Sequence, residues 1–179
     1  PQKAGIIPNG IDVARLEGLQ EKTEEEQDSI YVGAVLRVTP IKDVKTLLKA
    51  FGNAKKMVPG LKLWIMGSVD EESEYASECM ELVQNLEIPD VFFTGSVDIR
   101  EYLGKMDFTI LTSISEGQPL TILESYAAWK PVIATDVGNC RGLIYGEEGD
   151  RFGKAGILTH VMNLDEITGA IVELALNPE

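Results

Sequence analysis

Six short apolar runs alternate with amphipathic segments from residue 30 onward, and this alternation constrains the fold more than any other feature of the chain. The runs lie at 30–37, 62–67, 91–94, 107–112, 132–135 and 156–158. Val32, Ala34, Val35, Leu36 and the pair Ile110-Leu111 form the near-continuous apolar stretches of parallel strands covered on both faces. Helices are predicted between them at 42–58, 71–86, 99–104, 120–129 and 141–145, with another at 165–176. In the first, Val44, Leu47, Leu48, Phe51, Ala54 and Val58 recur at spacings of three and four, which defines one buried face. Strict alternation predicts a right-handed, doubly wound α/β domain, with a mostly parallel, six-stranded, Rossmann-like sheet and helices on both faces. Such sheets bind ligands beyond the carboxyl ends of their strands, so the strand-to-helix loops should hold the site.

With 179 residues and 44% hydrophobic content, one full core is the expectation. Residues 1–28 hold the turn Pro8-Asn9-Gly10 and mostly polar residues, read as a connector with a short helix, and 29–179 form the domain. The start, PQKAG, has no Met, basic stretch or apolar run, so the chain is expected to be a piece of a longer protein. Its apolar runs fall well short of the roughly 20 residues of a membrane span. Cys79 and Cys140 are isolated, without the spacing of zinc or redox motifs, and predict a reducing, cytoplasmic setting. A net charge of −13 disfavours nucleic acid and anionic membranes as partners, and the run Glu24-Glu25-Glu26 reads as a solvated face.

In a chain this acidic, an anionic ligand needs local cations. Arg37 and Lys42 supply two, in the loop Arg37-Val38-Thr39-Pro40-Ile41-Lys42-Asp43, where Thr39 is placed to cap the next helix and Pro40 to open it. A planar fork and a point charge suit a diphosphate; the plainer alternative pairs Arg37 with a carboxylate and leaves Lys42 solvated. A later loop, Ser115-Glu116-Gly117-Gln118-Pro119-Leu120, leads into a helix. Gly117 allows close approach of backbone, Pro119 pre-sets the helix start, and the amides of Gln118 and Leu120 can face an anion. Glu124 can accept from two adjacent ribose hydroxyls and Glu116 from those of a sugar. Together these groups suit a nucleotide sugar.

The segments IPNGID (Ile7 to Asp12), VGAVLRVTPIKD (Val32 to Asp43), LWIMG (Leu63 to Gly67), FTG (Phe93 to Gly95), LTSISEGQPLTILESYAA (Leu111 to Ala128), KPVIATDVG (Lys130 to Gly138) and ALNPE (Ala175 to Glu179) form a pattern. It resembles the C-terminal, nucleotide-binding domain of family 4 retaining glycosyltransferases of the GT-B type, nearest in wording to the Pel-polysaccharide branch. The resemblance implies a metal-independent transfer, with retention, of a hexose from a UDP-sugar, UDP-glucose above all, onto a glycan or other hydroxyl acceptor. By the same resemblance, Gly33 would let the chain pass beside the donor diphosphate while Arg37 and Lys42 neutralise it as it leaves. Glu116 would hold sugar hydroxyls, Gly117, Gln118, Pro119 and Leu120 would line sugar and phosphate, and Glu124 would grip the ribose. Gly67 and the loop Gly95, Ser96, Val97 would receive the base. The acceptor wall would belong to the protein's own N-terminal domain, so this chain alone should bind UDP weakly and transfer nothing. A cytoplasmic location follows, with any attachment to the inner membrane face left to other parts of the protein.

Three positions depart from the family pattern. Trp129 stands where relatives end a helix with Gly, so that either the turn differs or the ring packs on a neighbour. Gly142 replaces a Glu and would loosen a contact, and the lone His160 reads as a surface residue. The rival readings are a non-catalytic nucleotide-sugar-binding module and a GT-B sugar-nucleotide epimerase. A phosphate-cradling NTPase and an NAD-binding domain are disfavoured because neither G-x4-GK[ST] nor G-x-G occurs.

Overall fold

In a computed structural model, residues 7–70, 73–146, 151 and 153–177 are described. Their strands are β1 (Ile30–Val35), β2 (Leu61–Met66), β3 (Val91–Gly95), β4 (Phe108–Leu111), β5 (Val132–Thr135) and β6 (Gly156–Thr159). The α-helices are α1 (Val44–Met57), α2 (Glu74–Asn85), α3 (Leu120–Ala127), α4 (Cys140–Tyr145) and α5 (Leu164–Leu176). Every strand pairing is parallel, in the order β3-β2-β1-β4-β5-β6. The order reverses between β1 and β4, and the crevice beyond their carboxyl ends is where open α/β sheets take ligands.

The period of two along β1 divides the core. Val32, Ala34 and Leu36 join Leu47, Leu48 and Phe51 of α1 and Ile167 and Ile171 of α5 on one face. On the other face, Leu111, Val132 and Ala134 meet Ile122 of α3 and Cys140 and Ile144 of α4. Each large side chain fully buried this way contributes about 1.5–3 kcal/mol of transfer free energy. Gly33, midway along β1, leaves room for thioethers, since an added Cβ would lie 2.8 Å from Cγ of Met106 and 3.0 Å from Cε of Met66.

Several local expectations change. Residues 99–104 form no α-helix but two 3-10 turns, Ile99–Glu101 and Leu103–Lys105. The crossover is short and hugs residues 19–20, because a Cβ on Gly104 would fall 2.4 Å from the carbonyl oxygen of Gln20. Thr39 does not cap α1: Pro40 opens a 3-10 turn, Pro40–Lys42, and the Thr39 hydroxyl turns back to the Arg37 carbonyl at 3.5 Å. The chain enters α1 through Asp43, which is left-handed at φ 46°. The expected helix over 71–86 begins at Glu74, residues 71 and 72 lying outside the described residues. The connector contributes two 3-10 turns, Val13–Leu16 and Glu24–Glu26. Glu26 in the acidic run is engaged, receiving Lys105 Nζ at 3.1 Å and closing a capping box with Thr23.

Trp129 settles its own question: the turn is the glycine-type turn, and the ring stays at the surface with no aromatic or cation contact among the described residues. The Lys130 amide donates to the Ser125 carbonyl at 2.9 Å and the Trp129 amide to that of Tyr126 at 2.9 Å, the paired bonds of a Schellman ending. Trp129 holds the left-handed position at φ 59° and is 92% exposed.

Candidate functional site

The loops after β1 and β4 are sewn together at the point where the strand order reverses. Buried Thr112 donates its hydroxyl to the Lys42 carbonyl at 3.0 Å, and the Ile114 amide donates to the Ile41 carbonyl at 2.8 Å. This brings the Lys42 ammonium into an ion pair with the Glu116 carboxylate, whose Oε1 also accepts from Ser113 Oγ at 2.7 Å. The side chains are only 21% and 14% exposed, so water screens the pair weakly.

A third loop braces the second. Gly138, after β5, turns with φ 52°, and a Cβ there would fall 2.2 Å from the Glu116 carbonyl oxygen and 2.4 Å from that of Gly117. The Asn139 amide donates to the Gly117 carbonyl at 2.8 Å, and Thr135 Oγ1 to the Ser113 carbonyl at 2.6 Å. From the N-terminal side, the Asn9 amide meets Gln118 Oε1 at 2.5 Å, and Asn9 Nδ2 donates to the Gln118 carbonyl at 2.9 Å. Among the described residues, the amides of Gly117 and Gln118 donate to no protein acceptor. The first turn of α3 has no side-chain cap, and a Cβ on Gly117 would meet nothing within 4 Å, so the backbone just before the helix is open to close approach. Pro119 is buried and brings no donor; its part is to set the helix start.

Arg37 is exposed just past β1 and makes no ion pair or side-chain hydrogen bond among the described residues. The plainer alternative from the sequence is thus inverted, with Lys42 paired and Arg37 free. Gly33 needs correction: it lies inside β1 against Met106 and Met66, with no room beside it for a ligand. Gly67, at φ 150°, passes so close to β1 that a Cβ would sit 2.0 Å from the Leu36 carbonyl oxygen, and its amide donates to the Gly95 carbonyl at 2.9 Å. The exits of β1, β2 and β3 are drawn together there. Gly95, at φ 70°, turns the chain through Ser96 and Val97 into Asp98.

Glu124 makes no bond to Lys42 or Glu116 and lines a neighbouring cavity of about 220 Å³ with Ile11, Asp12, Arg15, Asp98 and Arg100. Burial pushes its carboxyl above the usual range, and the charge of Arg15 opposes that shift. Beneath it, Thr109 Oγ1 donates to Ser125 Oγ at 2.7 Å, which in turn donates to the Thr121 carbonyl at 2.7 Å.

Asn9, Arg15, Ser113 and Gly138 belong to this region and were not among the residues expected there. Gly138 carried a readable signal, as the glycine of a turn directly after a strand; the other three depend on tertiary placement. Gly142 sits in the first turn of α4, where a Cβ would fall 2.6 Å from Asn139 Oδ1, so that carbonyl occupies the space. His160 lies at the surface, its Nδ1 2.9 Å from the Glu166 carboxylate at the start of α5. Cys79 and Cys140 are free and buried, and burial pushes each thiol up to about 11. Among the described residues, no group of three or more His, Cys, Asp or Glu is placed to hold a metal ion, and no helix is long and apolar enough to cross a membrane.

The fold recurs in solved structures. That of Anabaena HepE in complex with UDP superposes with a TM-score of 0.77 at 22% identity, covering 96% of this chain and 47% of HepE. The pneumococcal O-GlcNAc transferase GtfA in complex with UDP and GlcNAc gives 0.68 at 23% identity, over 86% of this chain and 30% of that one. These likenesses show the Rossmann-like fold of GT-B glycosyltransferases. Among sequences, the chain is 35% identical over 143 residues to alpha-monoglucosyldiacylglycerol synthase of Streptococcus pneumoniae, covering 72% of this chain and 32% of the relative. It is 28% identical over 153 residues to the putative teichuronic acid biosynthesis glycosyltransferase TuaC of Bacillus subtilis, covering 78% and 35%. The chain therefore spans about a third of the length of these relatives. Residues 26–177, which hold the whole sheet and the loops after β1, β4 and β5, match the family Glycosyl transferases group 1, and the chain belongs to that family.

Proposed function

We propose that the chain is the C-terminal, donor-binding domain of a family 4 glycosyltransferase of the Pel-polysaccharide type. It would move glucose from UDP-glucose to a glycan or other hydroxyl acceptor, retaining anomeric configuration and using no metal. The observation that carries this reading is the Lys42–Glu116 pair across the β1/β4 crevice. It sets a cation and a hydroxyl-accepting carboxylate side by side, beside the unbonded amides of Gly117 and Gln118. The solved relatives that hold UDP with glucose or with GlcNAc support the ligand class.

On this reading, the donor diphosphate exchanges into the Lys42 ion pair and is met by the free guanidinium of Arg37, while Glu116 turns to the sugar hydroxyls. Glu124 accepts from the ribose, with the base toward Gly67 and the loop Gly95, Ser96, Val97. Negative charge grows on the departing β-phosphate as the glycosidic bond breaks toward an oxocarbenium-like state. Lys42, already held at that place, and Arg37 beside it would bind the transition state more strongly than the ground state. Residues 29–179 are the donor domain, and the acceptor wall is supplied by an N-terminal domain of the same protein, in the cytoplasm.

Calorimetric titration with UDP tests the site. Arg37→Ala, Lys42→Ala and Glu124→Ala should each lose roughly 10- to 100-fold in affinity, the range for a hydrogen bond to a charged group. Affinities equal to wild type in all three would remove the assignment. Transfer of glucose by this chain alone would overturn the two-domain reading.

A further inference from the structure

The cavity holding Glu124 is closed on one side by residues that the sequence reading assigns to a connector. Ile11, Asp12, Arg15 and Leu16 form that wall, Asp98, Ile99 and Arg100 another, and Glu124 projects from α3. The wall is fixed in place. Asn9 is bonded twice to Gln118, and Leu16 is buried with Leu103 and Ala128.

Among the described residues, two arginines line the cavity, and one of them has no ion-pair partner. Arg100 is held by Asp98, its Nε lying 2.9 Å from both carboxylate oxygens. Arg15 makes no ion pair among the described residues; its amide donates to the Asp12 carbonyl at 3.3 Å while its side chain lines the cavity. The other charged groups facing Glu124 across the cavity are Asp12 and Asp98. Arg141 of α4, a helix that also packs on α3, is engaged by Asp136. Among the described residues, Glu124 thus stands half-buried in a cavity lined by one arginine that has no ion-pair partner, and the charge of that Arg15 also acts on Asp98.

We propose that Arg15 is a positioning residue of this cavity: its guanidinium holds Glu124 as the carboxylate that a ribose diol requires, which makes residues 9–16 a wall of the donor site. The chemistry follows from the diol. Two adjacent hydroxyls donate, and only an ionised carboxylate offers each of them its own accepting oxygen; a protonated one has a donor on one of the two. Burial works against ionisation at Glu124, and Arg15 is the group that works for it. The ligand role rests on the donor-site reading above; the influence of Arg15 on Glu124 does not.

Two measurements separate them. In the free chain, the carboxyl ¹³C resonance of Glu124 is followed against pH in wild type, Arg15→Gln and Arg15→Lys. The midpoint should move to higher pH in Arg15→Gln and return toward wild type in Arg15→Lys. An unmoved midpoint in Arg15→Gln overturns the proposal whatever the ligand is. UDP-glucose, whose diphosphate diester does not titrate in this range, is then titrated calorimetrically at pH 5.5 and pH 8. Arg15→Gln should lose severalfold more affinity at pH 5.5 than at pH 8, whereas a merely structural loss would be equal at both. Glu124→Gln should bind weakly at either pH. Should the resonance move while Glu124→Gln binds UDP-glucose like wild type, the coupling stands and the donor-site reading falls.

Discussion

Gly138→Ala is the substitution that most directly tests how the loops are locked together. A Cβ at φ 52° takes on the left-handed penalty of roughly 1–2 kcal/mol. It would also land 2.2 Å from the Glu116 carbonyl oxygen and 2.4 Å from that of Gly117, where ordinary contact is about 3.5 Å. Both obstacles are backbone, so the 115–118 loop must retreat by about an ångström. The bond from the Asn139 amide to the Gly117 carbonyl, 2.8 Å long, is then lost, for about 1 kcal/mol. The total is roughly 2–3 kcal/mol, or about 5–10 °C in Tm for a chain of this size. Urea and thermal unfolding followed by circular dichroism measure it. Gly169→Ala in α5 is the control, since its Cβ meets nothing within 4 Å, and it should gain about 0.5–1 kcal/mol. A Gly138→Ala chain within ~0.5 kcal/mol of wild type would refute the interlocking of the β4 and β5 loops.

Trp129→Gly removes an exposed ring from a left-handed turn and should raise stability by about 1 kcal/mol, seen as a higher urea midpoint at unchanged slope. A lower midpoint would mean that the ring has a partner in solution. Glu124→Gln should stabilise the fold at neutral pH, because a carboxyl raised by burial makes the ionised form unfavourable in the native state. The sign follows from the direction of the shift. The unfavourable contribution is complete above the folded-state value, shrinks as pH falls through it and is gone below the unfolded value. The Tm advantage of Glu124→Gln should therefore vanish in acid, and an advantage independent of pH would exclude this origin.

The architecture was legible because parallel strands buried on both faces leave unbroken apolar runs, and all six were visible. Their ends shifted slightly where pairing stops: β1 closes at Val35, although the Leu36 amide still bonds to the Met66 carbonyl at 2.9 Å. That Lys42 and Glu116 lie near each other was legible because each follows a strand on either side of the β1/β4 reversal, but their ion pair was not, since the sequence left Lys42 to a diphosphate or to solvent. Gly33 was misplaced because a glycine beside apolar residues reads the same at a strand's mouth and at its middle; only the thioethers opposite tell them apart. Asp43 was unreadable as a left-handed residue because a 3-10 turn must come first for the chain to need one. Arg15 lay out of sight for a different reason. Its relation to Glu124 spans two segments that meet only after the 3-10 turn at Val13–Leu16 docks on α3, and no local period records that.

The bonded state of Lys42 has a bearing on selectivity. An ammonium already neutralised by its own carboxylate is a poor trap for stray inorganic phosphate, which would release Glu116 and leave it only the Ser113 hydroxyl to accept from. On the proposed reading, a molecule carrying phosphate and hydroxyls together compensates both halves of the broken pair at once. The crevice would thus work as a coincidence detector, indifferent to either chemical group alone.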